Sequence, residues 1–176
     1  LGNLNQTYNG TPRAITAITL PVSLTVDFTY DGSATAPTNA GTYAVTGTIN
    51  SINYSGTASG SLVVNKAPAT VTLSNLSQNF DGTPKSVTVT TVPAGLTVDV
   101  TYDGSPTAPT NANSYAVVAT VNETNYSGTA NGTLIILNAN ATVTLGNLTH
   151  TYDGTPKSAT ATTVPAGLTV DITYDG

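Results

Sequence analysis

The sequence contains no cysteine, no methionine and no tryptophan. Without cysteine, no disulfide can stabilise a fold, and small units without disulfides rely on regular secondary structure and on packing against neighbours. No apolar run approaches the roughly 18 residues that a membrane-spanning helix needs. No signal peptide or lipidation motif is present either. These absences leave the compartment open but exclude a disulfide-stapled scaffold.

Charge is equally scarce, because charged residues make up only 7% of the chain, against the usual quarter. The net charge is −5, and the four basic residues are dispersed: Arg13, Lys66, Lys85 and Lys157. Nucleic acids and anionic membrane surfaces both require clustered lysine and arginine. We therefore predict neither nucleic-acid binding nor membrane insertion. Threonine is about one residue in five, so hydroxyl and amide groups solvate the surface.

The chain is organised around residues 73–104, which recur as a diverged copy at 1–32 and a close copy at 145–176. The period is 72 residues. We predict β-repeat 1 at 1–68 with a truncated first strand, β-repeat 2 at 69–140, and the N-terminal half of β-repeat 3 at 141–176. A second phase, with units at 33–104 and 105–176, is the alternative. Since both ends fall inside a repeat, we interpret the chain as part of a longer array.

Strand-like alternation of apolar and polar residues recurs, and no stretch shows sustained helical spacing. In the second copy, the alternation directs Leu96, Val98, Val100 and Tyr102 inward. It also predicts a last strand at Thr129–Leu137. Asp-Gly pairs mark tight turns, because both residues tolerate a positive φ.

These features predict tandem small immunoglobulin-like β-sandwich domains in an elongated array, an all-β fold. The alternative is a helix-depleted β-grasp-like domain, in which residues 105–114 cross over between parallel strands. The linker at residues 65–68 is short and contains proline. Such a linker is stiff compared with a flexible Gly/Ser tether, so we expect consecutive domains to stand end to end.

Five sequence words together resemble one known family: TYDGTPKS (151–158), VPAGLTVDITYDG (164–176), NAGTYAV (39–45), NYSGTA (53–58) and GSLVVNKAP (60–68). They resemble the MBG/YDG-type tandem repeats of large bacterial cell-surface proteins and adhesins. The resemblance implies an extracellular, cell-surface location, many tandem copies and no catalytic residues. The sequence departs from the pattern at Asn9, in place of the first-turn aspartate, and at residues 138–140, in place of the linker.

Candidate catalytic residues are few. The single histidine, His150, aligns with Gln6 and Gln78 and has no nucleophile nearby in the sequence, so we interpret it as a surface strand residue. Recurring acid pairs lie four residues apart, at Asp27/Asp31, Asp99/Asp103 and Asp171/Asp175. Along a strand that spacing is roughly 13 Å, too long for both acids to act on one bond. The second member of each pair is a turn residue. We predict no enzyme and no catalytic residue.

Two chemistries can stiffen surface stalks, a calcium site and an internal isopeptide bond. Calcium needs six to eight oxygen ligands, and each copy offers few acids, although Asp99 near a domain junction could contribute one. An internal isopeptide bond needs a lysine at the same place in every copy, but Arg13 replaces the lysine of Lys85 and Lys157. We therefore predict no metal site and no cofactor, and expect Lys85 and Lys157 to lie in solvent at a turn.

Rows of threonine side chains at Thr88/Thr90 and Thr160/Thr162 could bind ice or sugars. In the first copy the threonines are Thr16 and Thr19, which do not keep the two-residue spacing of a strand face. We therefore predict that these threonines form a solvated strand face. Aromatic residues recur in place, which favours packing; Tyr54 and Tyr126 lie in a loop and could instead stack on a glycan. Many N-x-S/T sequons occur, among them Asn5, Asn53, Asn75, Asn122, Asn125, Asn131 and Asn147. They matter only in a host that glycosylates asparagine.

The predicted function is that of non-catalytic spacer or stalk repeats in an extracellular, adhesin-like or filament-forming protein. The alternative is that the repeats themselves bind glycan, protein or neighbouring chains. The expected partners are other copies of the chain or repeats of a longer chain, and environmental or host glycan or protein under the alternative. A neighbouring chain could also complete the partial third repeat, whose strand edges are unpaired if it stands alone.

Overall fold

The structure, a computed structural model, describes residues 1–175, and Gly176 lies outside the described residues. The described residues form strands and no helix, as the sequence predicted. In this part of the chain there is accordingly no helix long and apolar enough to cross a membrane. Fourteen strands occur: β1 (Asn5–Thr7), β2 (Val26–Tyr30), β3 (Gly41–Ile49), β4 (Thr57–Asn65), β5 (Ala67–Pro68), β6 (Thr70–Ser74), β7 (Ser77–Asn79), β8 (Thr88–Val92), β9 (Val98–Tyr102), β10 (Asn113–Val121), β11 (Tyr126–Ser127), β12 (Thr129–Leu137), β13 (Thr142–Gly146) and β14 (Thr160–Val164).

The first and second copies each contain a four-stranded sheet of the same topology. The orders are β1-β4-β3-β2 in the first copy and β7-β12-β10-β9 in the second. The three later strands pair antiparallel, whereas the first strand of each copy pairs parallel with the last. In both of these copies, the first and last strands are therefore neighbours in the sheet.

In the second copy the first strand is split in two at Asn75, whose φ is 60°. A positive φ is uncommon outside glycine, and asparagine is among the residues that tolerate it. The N-terminal half, β6, pairs antiparallel with β8, and the C-terminal half, β7, pairs parallel with β12. Gln78 holds the bend, because its Nε2 donates to the carbonyls of Asn75 (3.0 Å) and Ser86 (2.9 Å).

The β6-β8 pair lies over one face of the four-stranded sheet, which makes a small two-layered sandwich. The layers approach closely at Gly132 in β12, where a Cβ atom would lie 3.1 Å from Cδ1 of Leu73 and 3.5 Å from Cδ2 of Leu76. The core between them contains Tyr102, Val117, Leu134 and Ile136, all buried.

The predicted registers of these strands are confirmed. In β9, Val98, Val100 and Tyr102 face the interior while Asp99 lies in solvent. The last strand spans Thr129–Leu137, as predicted. The all-β, sandwich-like prediction therefore holds for the second copy, and the immunoglobulin-like assignment stays an interpretation of it.

The reason given for the β-grasp alternative is wrong. Residues 105–114 were expected to cross between parallel strands under that alternative. Residues 105–112 instead join β9 to β10, which are adjacent and antiparallel, and residues 113–114 already belong to β10. The parallel pair is formed by the first and last strands of the copy, so no crossover by this loop is required.

The third copy contains one antiparallel strand pair, β13 with β14. Its residues 170–174, equivalent to the strand β9, form no strand. Apolar side chains that are covered in the second copy are consequently exposed here: Leu145 is 48% exposed and Tyr174 is 60% exposed.

Candidate functional site at the junctions between copies

The first and second copies meet at a junction built from backbone hydrogen bonds. The linker strand β5 pairs parallel with β11, which belongs to the loop between β10 and β12. The amide of Ala67 donates to the carbonyl of Asn125, and the amide of Ala69 donates to that of Ser127, each at 2.8 Å. We call the contacts that the loop at residues 122–128 makes with residues 65–69 and with the first copy the first junction. The linker is thus part of a sheet and not a free tether.

Asn125 connects the loop to the first copy through both of its side-chain polar atoms. Its Oδ1 accepts a hydrogen bond from the backbone amide of Ala40 at 2.8 Å. Its Nδ2 donates to Oδ1 of Asn39 at 3.1 Å. An asparagine is suited to this position because its amide both donates and accepts.

Tyr126 adds an aromatic contact. Its ring lies edge-on to the ring of Tyr8 in the first copy, with centroids 5.4 Å apart and planes at 78°. Edge-to-face pairs of this kind add about 0.5–1.5 kcal/mol beyond the area they bury. Packing of Tyr126 was favoured by the sequence, and its partner is an aromatic residue of the preceding copy. Tyr54, the equivalent loop residue of the first copy, is 48% exposed.

Gly128 shows how closely the loop approaches Ala69, the residue that directly follows the linker. A Cβ atom added there would collide with the backbone carbonyl of Ala69, which cannot move aside as a side chain can. At the equivalent Gly56, an added Cβ would meet only the side chain of Ile49, at 3.1 Å. The first junction therefore requires glycine at position 128 for a reason that does not apply at position 56.

A polar contact completes the junction. Lys66 Nζ donates to the backbone carbonyl of Glu123 at 2.6 Å. The Glu123 carboxylate accepts a hydrogen bond from the amide of Thr97 at 2.8 Å. That hydrogen bond is the main reason the pKa of Glu123 lies below its ordinary value, and the charge of Lys66 lowers it further.

The corresponding place between the second and third copies is an open cleft of about 470 Å³. We call it the Phe80 cleft. It is lined by Phe80, Ala112, Asn138, Ala139, Asn140, Ala141, Pro165 and Leu168. Phe80 is equivalent to Tyr8 of the first copy. The cleft therefore corresponds to the place in the first junction where Tyr126 packs against Tyr8.

The tight turn that follows β7 is confirmed. The Asp81 carboxylate accepts hydrogen bonds from the amide (2.9 Å) and hydroxyl (2.6 Å) of Thr83, and Gly82 has a φ of 82°. Asn9 makes the same two contacts to Thr11 in the first copy. The substitution of asparagine for aspartate thus preserves the turn.

The prediction that Lys85 lies in solvent is wrong. Its side chain is 12% exposed and its ammonium group is 2.5 Å from the carboxylate of Asp81. Hydrogen bonds from Lys85, and then from Thr83, hold the pKa of Asp81 far below its ordinary value. Lys157 pairs in the same way with Asp153. In the first copy, the buried Nε of Arg13 finds no hydrogen-bond partner within residues 1–175.

The recurring acid pairs act as structural hydrogen-bond acceptors. Asp103 has a φ of 48° and accepts from the amide of Ala116 at 2.8 Å, which confirms its role as a turn residue. Asp99 accepts from the side-chain amide of Asn122 at 2.9 Å. Asp31 and Asp27 make the same contacts in the first copy. Asp171 and Asp175 are exposed, and the turn expected at Asp175 involves Gly176, which is not described.

The remaining candidate residues do not lie together in one site. His150 is exposed and lies beyond the end of β13, so it is a surface residue but not a strand residue. Within the described part of the chain, no three His, Asp or Glu side chains form a group that could hold a metal ion. The threonine files at Thr88/Thr90 and Thr160/Thr162 face solvent, as predicted.

The pairing of Tyr126 with Tyr8 was missed at the level of the sequence. Its signal was present, because an aromatic residue recurs after 72 residues at both positions. Recurrence alone does not say which two recurring positions meet. That information lies in the geometry of the linker.

The family model described as the MBG domain matches the chain three times, at residues 1–68, 69–140 and 141–176. No curated protein and no solved structure matches it. MBG repeats are typical of surface proteins and are a non-enzymatic type of domain. Because the three matches together span the whole chain, this protein belongs to the MBG domain family.

Proposed function

We propose that this chain is a structural spacer, a segment of an extracellular stalk that holds a distal region away from the cell surface. The proposed units are 1–68, 69–140 and, as the first half of a third, 141–176. No reaction is part of the proposal. The mechanical property that matters is the stiffness of the joints between units.

The observation that carries the proposal is the first junction. A four-residue linker could leave two units free to swing, but here the linker is hydrogen-bonded to the next unit and an aromatic pair packs beside it. The hydrogen bonds of the linker and the aromatic contact must break together before the units can bend. The arrangement therefore favours an extended, stiff array.

The proposed division into units is supported by the strand pairing. All four strands of the β7-β12-β10-β9 sheet lie within 69–140. The alternative phase would separate β9 from β10, which are adjacent. Among residues 1–175, the strand pair that joins two proposed units is β5 with β11.

The proposal is tested with a matched pair of glycine variants. In Gly128→Ala the new methyl group meets the carbonyl of Ala69, so the first junction should open; Gly56→Ala is the control at the equivalent loop position. Small-angle X-ray scattering should give a stiff rod for the wild type and Gly56→Ala. It should give a broader distribution of shapes for Gly128→Ala, with faster protease cleavage at 65–69.

Two results would contradict this proposal. One is equal scattering from Gly128→Ala and the wild type, which would mean that the junction does not set the stiffness. The other is first cleavage near Gly32 and Gly104, which would support the alternative phase.

The second candidate function, adhesion by the repeats themselves, is favoured by the exposed ring of Tyr54. The spacer proposal predicts no binding on a glycan array. Reproducible binding that Tyr54→Ala abolishes would establish the adhesive function. Tyr126 is unsuitable for that test because it packs in the first junction.

A further inference from the structure

The tripeptide Asn-Gly-Thr occurs twice in the chain, at residues 9–11 and 131–133. An asparagine side chain is converted to a carboxylate most readily when glycine follows, because glycine has no side chain to hinder its own amide. The first of these sites forms a tight turn, and the second lies within strand β12. The same reactive sequence is therefore present in two environments within one chain.

The conversion of Asn9 requires no enzyme and no reactant other than water. The amide nitrogen of Gly10 loses its proton and attacks the side-chain carbon Cγ of Asn9, and the tetrahedral intermediate expels the side-chain nitrogen as ammonia. The product is a five-membered imide, in which the Gly10 nitrogen is bonded to both carbonyl carbons of residue 9. Water then opens the ring. Cleavage of the bond to Cγ leaves aspartate, and cleavage of the bond to the main-chain carbonyl leaves isoaspartate.

The turn at Asn9 favours this attack. Its Oδ1 accepts hydrogen bonds from the amide (3.0 Å) and the hydroxyl (2.8 Å) of Thr11. Both donors withdraw electrons from Cγ and stabilise the negative charge that develops on Oδ1 as the nitrogen attacks. Asn9 and Gly10 are exposed, and a Cβ atom added at Gly10 would meet no atom within 4 Å. Water therefore reaches the site, and the intermediate has room to form.

Strand β12 opposes the same reaction at Asn131. Asn131 and Gly132 pair with Val118 and Val117 of β10. Ring closure requires the main chain between asparagine and glycine to rotate away from the extended conformation, so the strand pair must first open. The space beside Gly132 is also filled, since an added Cβ atom would lie 3.1 Å from Cδ1 of Leu73.

The aspartate product is already present in the other two copies. Asp81 and Asp153 occupy the position of Asn9 and accept the same two hydrogen bonds, from Thr83 and Thr155. The turn therefore accepts an aspartate without rearrangement. An isoaspartate would lengthen the main chain and would not keep this geometry.

Arg13 supplies a charge partner for the new carboxylate. It is equivalent to Lys85, whose ammonium group pairs with Asp81. The two backbones are held alike, because the amide of Arg13 donates to the carbonyl of Pro37 and that of Lys85 to the carbonyl of Pro109, each at 2.8 Å. Within residues 1–175, the Nε of Arg13 has no hydrogen-bond partner.

We propose that Asn9 is a site of spontaneous deamidation, and that the aspartate formed there pairs with Arg13. The reaction gives the first copy the carboxylate–cation pair that the second and third copies contain from the start. Deamidation at Asn131 is slow, because β12 must open before the ring can close. The chemistry requires the turn and not the first junction, so it does not depend on the spacer proposal.

The test is peptide mapping by mass spectrometry of the 176-residue chain after incubation at mildly alkaline pH, in buffer and in strong denaturant. In the folded chain, Asn9 should deamidate at least about tenfold faster than Asn131. In denaturant the two rates should approach each other, because both sites have the sequence Asn-Gly-Thr. The share of aspartate over isoaspartate at residue 9 should be larger in the folded chain.

Asn9→Gln is the control variant, because its longer side chain cannot form the five-membered ring. It should lose the modification at residue 9 and keep the slow modification at Asn131.

The ion pair is tested separately with Asn9→Asp, which makes the product directly. Hydrogen exchange of the Thr11 amide at neutral pH should slow about twofold to fivefold relative to the wild type. The slowing should persist when Asn9→Asp is combined with Arg13→Lys, which reproduces the pair of the second copy. It should be lost when Asn9→Asp is combined with Arg13→Gln, and it should weaken at high salt.

Two results would overturn the deamidation site: a folded chain in which Asn9 reacts no faster than Asn131, or rates that differ as much in denaturant as in buffer. Equal shares of aspartate in the folded and denatured chains would refute the fit of the product to the turn. A Thr11 amide that exchanges equally with Arg13 and with glutamine at that position would refute the ion pair. The spacer proposal is judged by a different quantity, the shape of the chain in the Gly128→Ala comparison.

Discussion

The second and third copies share nearly the same sequence over residues 73–104 and 145–176 but differ in burial. Tyr102 is 6% exposed and Tyr174 is 60% exposed. Some local features are nevertheless the same, since Asp81 and Asp153 form the same turn and both tyrosine hydroxyls accept a hydrogen bond from a backbone amide. Turns and strand pairs thus form from the segment itself. The buried core requires β10 and β12, which the described third copy does not have.

The largest effect should come from deleting a core side chain. Leu134 in β12 is fully buried, and a leucine-to-alanine change at such a site costs about 2–5 kcal/mol. Leu145→Ala, at the half-exposed face of the third copy, should change stability by only about 0.5 kcal/mol. Hydrogen exchange of the β10 and β12 amides measures the first change, and exchange of the β13 and β14 amides measures the second. Equal effects would mean that the third copy is packed as well as the second.

A smaller effect should separate the two tyrosine hydroxyls. Tyr102→Phe leaves the amide of Val87, which donates to that hydroxyl at 3.1 Å, without its partner. An unsatisfied buried donor costs about 1–3 kcal/mol. In Tyr174→Phe the amide of Ala159 is exposed, and water can replace the hydroxyl. Hydrogen exchange measured by NMR should accelerate strongly at the Val87 amide in Tyr102→Phe and weakly at the Ala159 amide in Tyr174→Phe, each relative to the wild type. The reverse order would contradict the difference in burial.

The smallest effect concerns pH and distinguishes the first copy from the second. The pKa of Asp81 lies below its ordinary value of 3.8 in the folded chain, mainly through Lys85. Its stabilising contribution is therefore complete above that value and is lost as pH falls toward the folded pKa. Asn9 makes the same turn without titrating.

Amide exchange of Thr83 and Thr11 measures this difference. Exchange at Thr83, corrected for the intrinsic pH dependence, should rise below about pH 4, while that at Thr11 should not. In Asp81→Asn the two amides should respond alike. If the corrected exchange rate of the Thr83 amide did not change with pH in the wild type, the role assigned to the Asp81 carboxylate would be contradicted.

What the sequence could predict was local. Alternation located β12 and the inward register of β9, and the Asp-Gly pairs located the turns, because each depends on neighbouring residues alone. The prediction that Lys85 lies in solvent was wrong, although its partner Asp81 is only four residues away. Alternation gives the face of a strand on which a residue lies, and it does not give the path of the chain through a turn. The first junction could not be predicted, since contacts such as Ala40 with Asn125 join residues 85 positions apart.

The parallel pairing of first and last strands has a consequence under tension. If a copy is pulled by its two ends, β7 is drawn toward its N-terminal side and β12 toward its C-terminal side. Because the strands run in the same direction, their hydrogen bonds, such as those from Phe80 to Leu137 and from Ile135 to Leu76, carry the load together. They must rupture in shear, not one after another as in an unzipping hairpin. The first and second copies are thus loaded in the direction in which a strand pair resists extension best.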